Sequence, residues 1–71
     1  MENPIKTFLV QKGISTIEFA RIAGVHGITA HNLMVGYQLK LSERVLAALE
    51  KLGGDSENLR KEYEAWRQLS R

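Results

Sequence analysis

In the middle of this 71-residue chain, Gly27 to Val35 reads GITAHNLMV, and helical spacing separates two kinds of side chain within it. Ala30 and Leu33 fall on one side. Ile28, His31 and Asn32 are left on the other, with Gly27 and Thr29 in the first turn. The chemistry open to such a face is directional hydrogen bonding beside one apolar contact. An Asn amide offers a donor and an acceptor side by side, matching the edge of adenine, and an Ile can touch only a thymine methyl. His31 can donate to a guanine or a phosphate, and Thr29 can reach either a base or the backbone. The same residues equally suit plain solvation, since an exposed Asn and His on a short helix need no ligand. His26 and His31 stand five apart with no carboxylate at helical spacing, so no metal is expected there. Catalysis is not expected either. There is no nucleophile with an orienting base, no clustered carboxylate pair and no Gly-rich phosphate loop, and no cofactor is implied.

The elements that must position this face lie immediately around it. Residues 16 to 36, TIEFARIAGVHGITAHNLMVG, read at helical period as two short helices. Ile17, Phe19, Ala20 and Ala23 carry the apolar positions of the first, and Ala30, Leu33 and Met34 those of the second. Between them stands Gly24-Val25-His26-Gly27. Gly24 follows the last residue of a helical pattern, where the chain turns left-handed and only a residue without Cβ does so cheaply. Ala20 is small enough for the helices to cross closely, and Val25 plugs the corner. Two helices joined by a short Gly-containing turn are the signature of a helix-turn-helix at about residues 16–35.

Gly13-Ile14-Ser15, Phe19-Ala20, Gly24-Val25, Leu33, Gly36 and Ser42, in that order and at those spacings, resemble the Cro and lambda-repressor-like helix-turn-helix family of small phage or bacterial transcriptional regulators. The resemblance covers about residues 5 to 53. It implies an all-α fold of five short helices, sequence-specific binding to double-stranded DNA, and pairing of two copies on a palindromic operator. It implies a phosphate contact from Thr16. By their place on the outward face and their own chemistry, Gly27, Ile28, His31 and Asn32 are the expected base contacts, and Thr29, Tyr37, Gln38 and Lys40 the further phosphate contacts. Three departures from the family pattern stand out. The tip of the second helix holds Gly27 and Ile28 where polar base-reading residues are usual. Ala30 replaces a branched aliphatic residue, leaving Phe19 to fill the volume. The loop Tyr37-Gln38-Leu39-Lys40-Leu41 has no Pro and one Lys, and Leu39 or Leu41 is expected to tuck into the core.

The flanking segments complete the expected architecture. Asn3-Pro4 reads as a cap followed by Pro at the first helical position, and Ile5, Phe8 and Leu9 make one apolar stripe that Gly13 terminates. Ser15 with Glu18 forms a capping box for the next helix. Ser42 caps a helix from Glu43 to Leu52 with Val45, Leu46, Leu49 and Leu52 inward, closed by Gly53-Gly54. Residues 1–54 thus read as the helix-turn-helix domain and 55–71 as a C-terminal amphipathic helix. Asp55 or Ser56 caps that last helix, which carries Leu59, Tyr63, Trp66 and Leu69 on one stripe. Glu57 with Lys61, and Glu64 with Arg67, lie at pairing distance along its surface. The stripe has two readings. It packs back on a core that needs the area, or it forms a dimer interface, where large aromatics are favoured.

Charge and composition bound the function further. Six basic side chains face four acidic ones within residues 1–53, and four face four within 54–71, so the excess of +2 sits with the helix-turn-helix. That is a modest basic bias for nucleic acid, whose binders usually show a denser patch. There is no cysteine, and no apolar run reads as a membrane span or a signal peptide, so a soluble cytoplasmic protein is expected. A competing expectation is a small regulator that docks on another protein, such as an antirepressor. It rests on Ile17, Ile22 and Ile28 as outward-facing apolar side chains, on the Gly-Ile tip and on the low net charge.

Overall fold

Asn3 begins the first helix and reaches well beyond it. Its Oδ1 accepts from the amides of Ile5 at 3.0 Å and Lys6 at 3.4 Å, which satisfies two of the donors that open α1 (Pro4–Gln11). The computed structural model of the chain describes residues 2–38 and 40–69. Among them, four more helices follow and no strand: α2 (Thr16–Ala23), α3 (Gly27–Val35), α4 (Glu43–Lys51) and α5 (Ser56–Leu69). The all-helical, five-helix class expected from periodicity is the one observed.

Each start has a local cause. In α2 the Ser15 hydroxyl accepts from the Glu18 amide at 3.2 Å while the Glu18 carboxylate accepts from the Ser15 amide, completing the expected capping box. Ser42 caps α4 through the Val45 amide at 3.3 Å. For α5 the cap is Asp55, whose Oδ1 accepts from the Asn58 amide at 3.2 Å. Ser56 instead turns inward and donates to Glu50 at 3.0 Å. Gly24 ends α2 at φ +71, left-handed as the sequence requires.

Packing follows the apolar stripes. Ile5, Leu9, Phe19, Ala23, Leu33, Val45, Ala48, Leu49, Leu59 and Tyr63 form one buried cluster drawn from all five helices. α2 lies against α3 and α4, and α5 lies against α1 and α4. Phe19 and Ala30 are both buried, Phe19 within the cluster. Leu41 packs against the cluster, while Leu39 lies outside the described residues. Burying a side chain such as Phe19 or Leu33 stabilises by roughly 1.5–3 kcal/mol.

The C-terminal stripe resolves in favour of the core for most of its length. Tyr63 is 0% exposed and Leu59 is buried, both inside the cluster of their own chain. Neither is therefore available as a dimer interface, contrary to that expectation; a core this small needs their area. Trp66 is half-buried, packed on the same cluster and tilted 38° against the Tyr63 ring at 5.8 Å between centroids. Only Leu69, 66% exposed, points away. The surface charge pairing also differs from the expected one. Glu57 and Glu64 both turn to Arg60, at 3.5 and 3.2 Å, because i+3 and i+4 neighbours on both sides converge on it. Arg67 is thereby released for a different partner.

Candidate nucleic-acid interface

The two ends of α3 are built differently. At its start, His26 serves as the cap residue by backbone alone, with its carbonyl accepting from Ala30 at 3.2 Å and no side-chain bond to the first-turn amides. The opening N–H groups of a helix have no intrahelical partner, so Gly27, Ile28 and Thr29 present amides and the positive end of the helix dipole at this tip. Gly27, Ile28 and His31 are exposed, Ile28 at 71%, while Thr29 and Asn32 are half-buried. Ala30 and Leu33 face inward, as their spacing predicts.

At its far end α3 is held from outside. The Asn3 side chain, 5% exposed, uses its Nδ2 to donate to the carbonyls of Leu33 and Met34, each at 3.0 Å. Gly36 follows at φ +88, with a Cβ built there falling 2.9 Å from Cζ3 and Cη2 of Trp66. The Arg67 Nε–H donates to the Gly36 carbonyl at 2.7 Å, setting a cation at the negative end of the helix dipole. Two residues on, the Tyr63 hydroxyl donates to the Gln38 carbonyl at 2.9 Å. The carbonyl of Asn32 accepts from the amides of Gly36, Tyr37 and Gln38.

No family model matches this chain, nor does any curated protein or solved structure.

Gly27, Ile28, His31 and Asn32 share one stretch of α3, and Thr16 opens the helix packed beside it. Thr16 is half-buried in the first turn of α2. Tyr37, Gln38 and Lys40 belong to the other end, roughly 13 Å along the axis at 1.5 Å per residue. Tyr37 is exposed at 77% and Lys40 is exposed. Gln38 is half-buried, and its Nε2 donates to the Lys40 carbonyl at 3.2 Å, so part of its amide serves to hold the loop. The expected contacts thus form two clusters at the two ends of α3.

Charge around the face is sparse. Between Thr16 and Gly36 the only charged side chains are Glu18, engaged in the capping box, and exposed Arg21. Arg44 adds a guanidinium from the start of α4, its Nη1 donating to the Gly24 carbonyl at 2.9 Å and tying α4 to the turn. Periodicity singled out neither this Arg nor the reach of Asn3 and Arg67. Those contacts span 20 to 31 residues and leave no local pattern. Chemically, the arrangement offers a short helix end with its opening amides, an amide side chain, an imidazole, an isoleucine and the Thr29 hydroxyl. It suits recognition of a polar surface with a few apolar points.

Proposed function

We propose that this chain is a small, non-catalytic transcriptional regulator that binds double-stranded DNA in a sequence-specific manner through the N-terminal half of α3. The observation that carries the reading is the asymmetry of that helix: a fixed C-terminal end, and an N-terminal end that exposes Gly27, Ile28 and His31, with half-buried Asn32 one turn further along. A helix entering a major groove reads bases from its N-terminal residues. Asn32 pairs with adenine, His31 donates to a guanine or phosphate, and Ile28 meets a thymine methyl. Thr16, Thr29, Tyr37 and Lys40 take the phosphates on either side. The resemblance of Gly13 to Ser42 to Cro-like regulators supports the same assignment.

One module of this size makes few phosphate contacts, so two copies on a palindrome, each reading one half-site, supply the affinity that one lacks. With Leu59 and Tyr63 committed to the core, the pairing surface lies elsewhere, and exposed Leu69 is the member of the C-terminal stripe left to join it.

A protein-docking role is the second reading. It is favoured by the exposure of Ile17 at 68% and Ile28 at 71%, and by the balanced charge between residues 16 and 36. Salt separates the two. Lys40 is the one charged side chain among the proposed phosphate contacts, so a pair of copies neutralises about two phosphates and binding weakens roughly 12-fold between 50 and 200 mM salt. An apolar docking surface is nearly indifferent to that change. Titration of a labelled duplex across this range, with Asn32→Ala and His31→Ala alongside, is therefore the test. A steep slope with weakened binding in the variants supports DNA reading, and a flat one removes it.

A further inference from the structure

The grip on the C-terminal end of α3 has a role beyond stability. Along its length α3 packs chiefly on α2. Apolar contact of this kind is non-directional and leaves a helix free to rock or rotate by small angles. Directional bonds remove that freedom, and here they come from the two extremes of the chain. Asn3 stands 30 and 31 residues before the Leu33 and Met34 carbonyls it binds, and Arg67 stands 31 residues after Gly36. Each meets a carbonyl that helix geometry leaves without an intrahelical donor.

We propose that Asn3 and Arg67 are positioning residues that set the tilt and rotation of α3 from behind, so that its N-terminal half meets a ligand in one orientation. This rests on the reading of α3 as the DNA-reading helix. Three observations support the assignment. Asn3 is 5% exposed, and its amide divides its work, Oδ1 opening α1 and Nδ2 closing α3. Trp66 lies against Gly36 with no room for a Cβ, fixing the backbone that Arg67 binds. Arg67 makes its bond at 2.7 Å, while Glu64, the carboxylate at helical spacing from it, pairs with Arg60. A side chain kept for surface charge pairing would have used Glu64.

The design separates the two functions of Asn3. Asn3→Ser keeps a hydroxyl that caps α1 and deletes the donors to Leu33 and Met34. Arg67→Met keeps the apolar stem and deletes the donor, and Arg67→Lys restores a donor with charge. Amide hydrogen exchange of the full-length chain is read residue by residue, and affinity is measured on a duplex selected by the wild type and on a scrambled one. In Asn3→Ser and Arg67→Met, amides of α3 and of Tyr37 and Gln38 exchange about tenfold faster while those of α2 and α4 keep their rates. The ratio of affinities falls about tenfold, the loss that one mismatched base pair produces. Arg67→Lys recovers most of both.

Faster exchange spread evenly over all five helices, or an unchanged affinity ratio despite loosened α3 amides, overturns the proposal. If the wild type selects no duplex at all, the DNA reading fails. The exchange pattern alone then decides whether the two side chains hold α3.

Discussion

Gly36→Ala separates two costs that coincide at one residue. At φ +88 an added Cβ is strained by roughly 1–2 kcal/mol, whatever surrounds it. Here it also arrives 2.9 Å from two atoms of the Trp66 ring, so the indole has to move, and overpacking of this kind costs about 1–3 kcal/mol. Together the loss is ~2–5 kcal/mol. A 71-residue domain has on the order of 4–10 kcal/mol to lose, at roughly 0.05–0.15 kcal/mol per residue. Gly13→Ala is the control, since Gly13 has φ +71 and nothing within 4 Å of the added Cβ. It carries only the conformational cost of ~1–2 kcal/mol. Urea unfolding of both variants gives the difference directly, and the same pair in a Trp66→Phe background, which removes the outer ring, isolates the contact. Gly36→Ala is expected to cost more than Gly13→Ala in the natural background and about the same in the Trp66→Phe one. Equal costs in both backgrounds would refute the packing of Trp66 on Gly36, and with it the account of how α5 holds the end of α3.

Ser15→Ala removes the capping box of α2 and is expected to cost about 1 kcal/mol in urea unfolding. Restoration by Ser15→Asp checks that capping is the cause. Tyr63→Phe deletes the donor to the Gln38 carbonyl and is expected to cost about 1 kcal/mol near neutral pH, measured by the same titration. Burial holds the Tyr63 hydroxyl above its ordinary value, against the lowering pull of the Arg67 charge. A raised value in the folded state gives stability that is complete below the unfolded value of about 10 and is lost as pH climbs from there toward the folded value. The natural protein should therefore lose stability more steeply than Tyr63→Phe above about pH 10, as read by thermal unfolding across that range.

The fold was legible where its causes are local. Asn3-Pro4, Ser15 with Glu18, Gly24 and Ser42 mark helix ends through their own side chains or backbone needs, and each stands where it was expected. The inward face of α3 followed from the spacing of Ala30 and Leu33. Legibility stopped where one residue serves two places. Asn3 reads as a cap, and nothing near it in sequence announces that its amide also binds the end of a helix 30 residues on. Arg67 sits at helical spacing from Glu64, which suggests a surface pair, but Arg60 reaches Glu64 first and Arg67 closes α3. The stripe of Leu59, Tyr63, Trp66 and Leu69 admits a core or a partner equally on period alone. What decides is the area the other four helices leave uncovered, a property of the assembled chain. For the candidate interface, periodicity identified which side of α3 faces out. It had no means of showing that the other end is fixed.

The central claim is that the exposed half of α3 reads base sequence. Its most direct test is selection of bound duplexes from a random pool at about physiological salt, repeated with Asn32→Ala and His31→Ala. The account predicts a recovered palindrome whose preference relaxes at defined positions in at least one of the two variants, with half-sites about one helical turn apart. Recovery of no common sequence, with weak salt-sensitive retention or none, would contradict it and turn attention to Ile17 and Ile28 as a surface for another protein.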